Sequence, residues 1–109
     1  MKKSVEIIKM DYKIIISIEA EKDTNEAYCY YESQQSGLGD RFLNELSQFY
    51  QKLKEHPTYY SFISENKTTR SVALKIFPYR IIYEVESDEL YVYAVYHFGK
   101  NRDKLNKRL

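Results

Sequence analysis

An α+β fold is predicted, in which an antiparallel β-sheet of about four strands is covered on one face by an antiparallel helical hairpin from the N-terminal half. Three observations lead to it. Apolar residues recur at helical spacing from Leu38 to Leu53, strand-like segments lie before and after them, and the link Ser36-Gly37-Leu38-Gly39-Asp40 is too short to do anything but fold two helices back on each other.

Taken in order, Met1 to Met10 shows weak alternation at Val5 and Ile7, so residues 1–11 read either as an extra edge strand or as a leader. Tyr12 to Ile18 (YKIIISI) is short and rich in β-branched residues, which predicts a strand. A central place in the sheet is expected for it, since an edge would expose too much isoleucine. Asp23 or Thr24 is the expected N-cap of the first helix, with Glu26 in the first turn, where a negative charge suits the helix dipole. Ala27, Tyr30, Tyr31 and Gln34 keep helical spacing, and Gly37 supplies a left-handed stop. Leu38, Phe42, Leu46, Phe49 and Leu53 form the stripe of the second helix, widened by Leu43 and Tyr50 and ended by Pro57. Tyr59 to Lys67 reads as an irregular strand over Tyr60–Ile63 with a turn after it, or as a loop. Arg70 to His97 then reads as three consecutive strands, followed by a basic tail.

The length of 109 residues fits one domain spanning residues 1–109, with a single core. No apolar run approaches a bilayer span, and Met1-Lys2-Lys3 opens no signal peptide, so a cytoplasmic protein without membrane contact is expected. The single cysteine, Cys29, cannot form an internal disulfide, which fits a reducing compartment. The net charge of +1 gives no global argument for nucleic acid, but its distribution is uneven: residues 100–109 carry five basic residues against one acidic. With 12 tyrosines and no tryptophan, much aromatic surface must sit ring inward and hydroxyl outward. No metal-ligand spacing, glycine-rich phosphate loop or nucleophile motif is present, so no cofactor is expected.

If the turn at Glu86-Ser87-Asp88-Glu89 closes symmetrically, Glu84 faces Tyr91 and Arg80 faces Val95. Tyr79, Ile81, Tyr83, Val85, Leu90, Val92, Ala94 and Tyr96 then share the core face, joined by Val72, Leu74 and Ile76. Two helices cannot cover both faces. The open face would display Lys75, Arg80, Ile82, Glu84, Tyr91, Tyr93, Val95 and His97. A slip of one residue would invert these assignments.

The residues Ala20-Glu21-Lys22-Asp23, Tyr30-Tyr31-Glu32, Gly37-Leu38-Gly39-Asp40-Arg41-Phe42, His56-Pro57, Arg70, Phe77-Pro78-Tyr79-Arg80-Ile81, Tyr83, and Ala94-Val95 followed by His97 together resemble the RelE/ParE superfamily of bacterial toxins, most closely its ParE-like plasmid-stabilisation branch. The similarity covers about residues 12 to 102. It implies the same fold, and a toxin neutralised by a cognate antitoxin whose extended segment wraps it. It also implies a macromolecular target, either DNA gyrase, poisoned without nuclease chemistry, or the translating ribosome, where mRNA is cut. Cleavage of that kind needs a base for the 2′-hydroxyl, an acid for the leaving oxygen and cations on the phosphate. Glu84 or His97 is the candidate base and His97 the candidate acid. Arg70, Lys75, Arg80, Lys100 and Arg102 are candidates for phosphate or target binding, and Tyr91 or Tyr93 for stacking on a base. The near-neutral charge weighs against the ribosome-dependent endoribonuclease. A degenerate, non-toxic binding module of the same fold is a third reading.

Overall fold

The structure, a computed structural model, describes residues 12–63 and 67–98. The expectations for residues 1–11 and for the tail, including Lys100 and Arg102, lie outside the described residues. Strand β1 (Lys13–Ile16) is followed by helices α1 (Ile18–Gln34) and α2 (Leu38–Glu55), then by strands β2 (Thr69–Ala73), β3 (Tyr79–Glu86) and β4 (Glu89–His97).

The sheet order is β1-β4-β3-β2, with β2, β3 and β4 antiparallel and β1 parallel to β4. The sheet is therefore mixed rather than antiparallel. Two helices separate β1 from the next strand, so no tight turn dictates its direction. Among the described residues β1 also ends the sheet instead of lying centrally, leaving Ile16 37% exposed, and Ile18, 69% exposed, opens α1 instead of extending the strand.

β1 is shorter than its isoleucine run suggests because Ser17 turns the chain. Its hydroxyl accepts from the Ala20 N–H at 3.0 Å as the N-cap of α1, and donates to the Tyr93 carbonyl at 3.2 Å. Glu19 and Glu21 supply the first-turn negative charge expected of Glu26. The helix thus begins well before Asp23 and Thr24. Asp23, no longer needed as a cap, instead accepts from the Val95 N–H at 3.0 Å through its carboxylate. Ser17 and Asp23 together serve the edge of β4 beyond the point where β1 stops.

α1 ends at Gln34, and Gly37, at φ 88°, bends the link into the left-handed region that glycine tolerates. Glu32 closes the hairpin by accepting from the N–H groups of Gly37 at 2.9 Å and Gly39 at 3.0 Å. In α2 the stripe of Phe42, Leu46, Phe49 and Leu53 is buried. Phe42 and Leu53 are fully buried, and each contributes about 1.5–3 kcal/mol by leaving water. Leu43 does not widen the stripe; it is 37% exposed, and Glu45 lies buried in its stead. That carboxylate accepts from the N–H groups of Lys75 and Ile76 at 2.8 Å and Phe77 at 3.1 Å, fixing the turn from β2 to β3. Ile76 accordingly sits in the turn, 65% exposed, rather than in the core. Both helices pack on the same side of the sheet, against Val72, Leu74, Phe77, Tyr79, Ile81, Tyr83, Leu90, Val92 and Val95.

The segment after Pro57 is a loop that touches the β2 edge by a single bridge, Phe62 to Arg70, with Ile63 N–H on the Thr69 carbonyl at 2.8 Å and Ser71 N–H on the Ser61 carbonyl at 3.2 Å. Tyr83 pins its start, donating to the Pro57 carbonyl at 3.0 Å.

Candidate functional site

The β3–β4 hairpin closes at Ser87, whose φ of 56° turns the chain tightly, and Glu84 faces Tyr91 as the symmetric turn requires. The ladder then shifts: Ile82 faces Ala94 and Tyr83 faces Val92, which leaves Tyr93 as an extra residue, a β-bulge. Side chains beyond it change faces. Arg80 faces Tyr96 rather than Val95, and Tyr79 faces His97. Val95 and His97 therefore join the helix-covered face, while Ala94 and Tyr96 belong to the open one. Ile82 and Ala94, though on the open face, are themselves buried.

This single bulge takes apart the expected acid–base pair. Glu84 stays on the open face, where its carboxylate accepts from the Thr69 hydroxyl at 3.0 Å and the Tyr93 hydroxyl at 3.1 Å. Burial first, and then the bond to Glu84, raises the Tyr93 hydroxyl above the ordinary tyrosine pKa, so it remains a donor. His97 lies across the sheet, edge to face with Tyr79 at 5.0 Å between ring centroids. Its Nδ1 donates to the Phe98 carbonyl at 2.6 Å. The ring borders a cavity of about 320 Å³ shared with Asp23, Glu26, Tyr30, Tyr31 and Tyr79.

The candidate cations divide as well. Arg70 faces Tyr83 on the helix side, and its guanidinium donates to the carbonyls of Thr58 at 3.2 Å and Tyr60 at 2.6 Å while stacking on Phe62 at 4.0 Å. It clasps the loop to the sheet. Lys75 is exposed in the β2–β3 turn. Among the described candidates, Arg80 alone is a cation on the open face of a strand, half-buried, donating to the Ser71 hydroxyl at 3.1 Å. Tyr91 and Tyr93 are on that face too, their centroids 4.8 Å apart. They belong with Glu84, however, four residues along β3 from Arg80, which is about 13 Å at strand rise. The open face thus has an end where Glu84, Thr69, Tyr91 and Tyr93 meet, and another built on Arg80.

At the Arg80 end lies a groove of about 1080 Å³ between residues 59–63 and the sheet, lined by Tyr59, Tyr60, Phe62, Ser71, Arg80 and Tyr96 among others. Sequence reasoning missed its wall. The signal was the aromatic run Tyr59-Tyr60-Ser61-Phe62, since Tyr59 stands 78% and Phe62 39% exposed. Among the described residues no three His, Cys, Asp or Glu side chains gather as metal ligands would, and no helix is long and apolar enough to cross a membrane.

Comparison with known proteins agrees with this architecture. A solved chain from the chromosomal ParDE TA system of P. aeruginosa matches with a TM-score of 0.70 at 14% identity, over 79% of this chain and 95% of that chain. At that identity the likeness is one of fold. No curated protein matches. The family model described as "ParE toxin of type II toxin-antitoxin system, parDE" matches residues 14–102, from within β1 to beyond the end of β4. The chain therefore belongs to the ParE toxin family of type II toxin-antitoxin systems.

Proposed function

We propose that the protein is a toxin that arrests growth by binding a cytoplasmic macromolecular target, DNA gyrase, without cutting RNA, and that a cognate antitoxin neutralises it. The observation that carries this reading is the bulge at Tyr93. A base and an acid that act on one phosphodiester must both reach it within hydrogen-bond distance. Glu84 and His97 stand on opposite faces of the sheet, so no single phosphate can meet both. Both oxygens of Glu84 are also engaged, by Thr69 and Tyr93. The net charge of +1 supports the same conclusion, because association with ribosomal RNA is driven by phosphate neutralisation.

What remains on the open face is suited to recognition: an aromatic-walled groove with Arg80 at one end, and the Tyr91–Tyr93 pair beside Glu84 at the other. The test is induction in a bacterium with and without the adjacent reading frame, with primer extension on cellular messages. Growth arrest that the adjacent gene relieves, without new cuts in mRNA, is expected. Arrest accompanied by cuts within codons would overturn the binding mechanism, and soluble expression without arrest would show a non-toxic module.

A further inference from the structure

We infer that the cavity between α1 and the end of β4, on the helix-covered side of the sheet, is a binding site for a guanidinium group. The site stands apart from the open face and does not rest on the toxin reading.

Its lining is of two kinds. Asp23 and Glu26 bring two carboxylates, and Tyr30, Tyr31 and Tyr79 bring three aromatic rings, with no Lys or Arg among the lining side chains. The two acids are three residues apart on α1, which sets them on one face of the helix with their Cβ atoms about 5–6 Å from each other. The rings do not form a single stack. Tyr30 and Tyr31 meet at 73° with centroids 5.2 Å apart, and Tyr31 and Tyr79 at 68° with centroids 6.2 Å apart. Planes so inclined wall the cavity on more than one side.

The backbone of β4 fixes one acid and adds an acceptor. Asp23 is held by the Val95 N–H at 3.0 Å. β1 gives out at Ile16, opposite Val92, so beyond that point no strand among the described residues covers this flank of β4. A strand residue sends its N–H and its C=O to the same side, so the carbonyl of Val95, a lining residue, is turned away from β3 as its N–H is. Negative charge, a carbonyl and aromatic surface thus meet in one place.

That combination selects its ligand. An anion is repelled by the carboxylates, and a metal ion finds too few ligands, since among the described residues no three His, Cys, Asp or Glu side chains gather. An organic cation fits both halves of the lining. A guanidinium fits better than an ammonium: it is flat and weakly hydrated, so it can lie against a tyrosine ring while its fork of N–H donors reaches the carboxylates, whereas an ammonium is compact and strongly hydrated. The volume of about 320 Å³ is in the range of small-ligand sites, and Glu26 and Tyr30 are exposed, so the group enters from solvent along α1. Two sources carry this chemistry, a free alkylguanidine and an arginine side chain, and the sequence of this chain itself ends with Arg102 and Arg108 among its last residues.

The test titrates agmatine, an alkylguanidine, into the full isotope-labelled chain and follows the amide resonances of Ala27 and Val95. Putrescine is the control, with the same stem and charge but an ammonium in place of the guanidinium. Saturable shifts at both amides are expected, with putrescine at least about 5-fold weaker. Glu26→Gln, at an exposed position where the fold is not at stake, should weaken agmatine binding by about 5- to 10-fold, and Tyr30→Ala by about 3-fold. Glu21→Gln, on α1 but outside the cavity, should leave it unchanged. Equal losses from Glu21→Gln and Glu26→Gln, or equal affinity for putrescine, would overturn the inference in favour of diffuse attraction to an acidic helix. If agmatine binds only after Arg102→Gln and Arg108→Gln are combined, with the same dependence on Glu26, the site stands and its occupant is an arginine of this chain. Absence of saturable binding to both forms overturns it.

Discussion

Replacing Glu45 tests how the two layers of the protein are joined. The residue is 5% exposed in the middle of α2, and its carboxylate takes the N–H groups of Lys75, Ile76 and Phe77. Hydrogen bonds to a charged group contribute roughly 1.5–3 kcal/mol each, but a simple sum over the three overstates the loss. Lys75 and Ile76 are exposed, so their donors find water once the carboxylate is gone. The bond from Phe77 is buried, and its orphaned donor costs about 1–3 kcal/mol. Glu45→Ala should therefore lose about 3–5 kcal/mol, a large part of the roughly 5–15 kcal/mol that holds a domain of this size. Glu45→Gln retains one acceptor oxygen and turns an amide NH₂ toward the remaining donors, so about 2–3 kcal/mol is expected. Urea unfolding followed by circular dichroism measures the difference, and native-state amide exchange at Phe77 should accelerate. A Gln variant within about 1 kcal/mol of the unaltered protein, with Phe77 exchange unchanged, would refute the idea that this carboxylate anchors the turn that starts β3.

Three further outcomes follow from the same contacts. Gly39→Ala should destabilise by about 1–3 kcal/mol in urea unfolding, because the new Cβ would lie 2.7 Å from the Tyr28 ring and 2.9 Å from the Tyr28 carbonyl in the helical hairpin. Burial raises the hydroxyl pKa of Tyr50, Tyr79 and Tyr83, with nearby Asp23 adding to the rise at Tyr50, Tyr31 at Tyr79, and Arg70 partly opposing it at Tyr83. The unfolded chain then releases these protons first, so their contribution is fully present below about pH 10 and lost as pH rises beyond it. Absorbance titration should show the buried tyrosines ionising only together with loss of the folded circular dichroism signal. His97→Ala should lower stability by about 1 kcal/mol through the lost contact with Tyr79, yet leave growth arrest on induction unchanged; abolished arrest with folded protein would return His97 to the working site.

The sequence carried the element order because each element announces itself locally: the 3.6-residue stripe of α2, the stop before Pro57, the alternation of β3 and β4. Where it misled, the deciding interaction was long-range or irregular. Ser17 reads as a strand residue until Tyr93 is seen beside it, and the direction of β1 is set by a partner more than 70 residues away. The buried Glu45 carries no local mark, since only the turn at 75–77 explains it. The bulge is the consequential case. Tyr91-Val92-Tyr93-Ala94-Val95-Tyr96 alternates without a glycine to signal an extra residue, so parity counted from the hairpin fails after Val92. That parity puts Glu84, Arg80, Tyr91 and Tyr93 on the open face, where the structure has them, and misplaces His97, which lies beyond the bulge. Arg70 was legible as a cation but not as the clasp of a loop whose course depends on it.

The most direct test of a toxin that binds rather than cuts is a supercoiling assay with purified protein and DNA gyrase, run beside in vitro translation with primer extension. Inhibited supercoiling with accumulation of cleaved DNA, and intact message on the ribosome, is the predicted result. Unimpaired supercoiling together with cuts at the ribosomal A site would contradict the account.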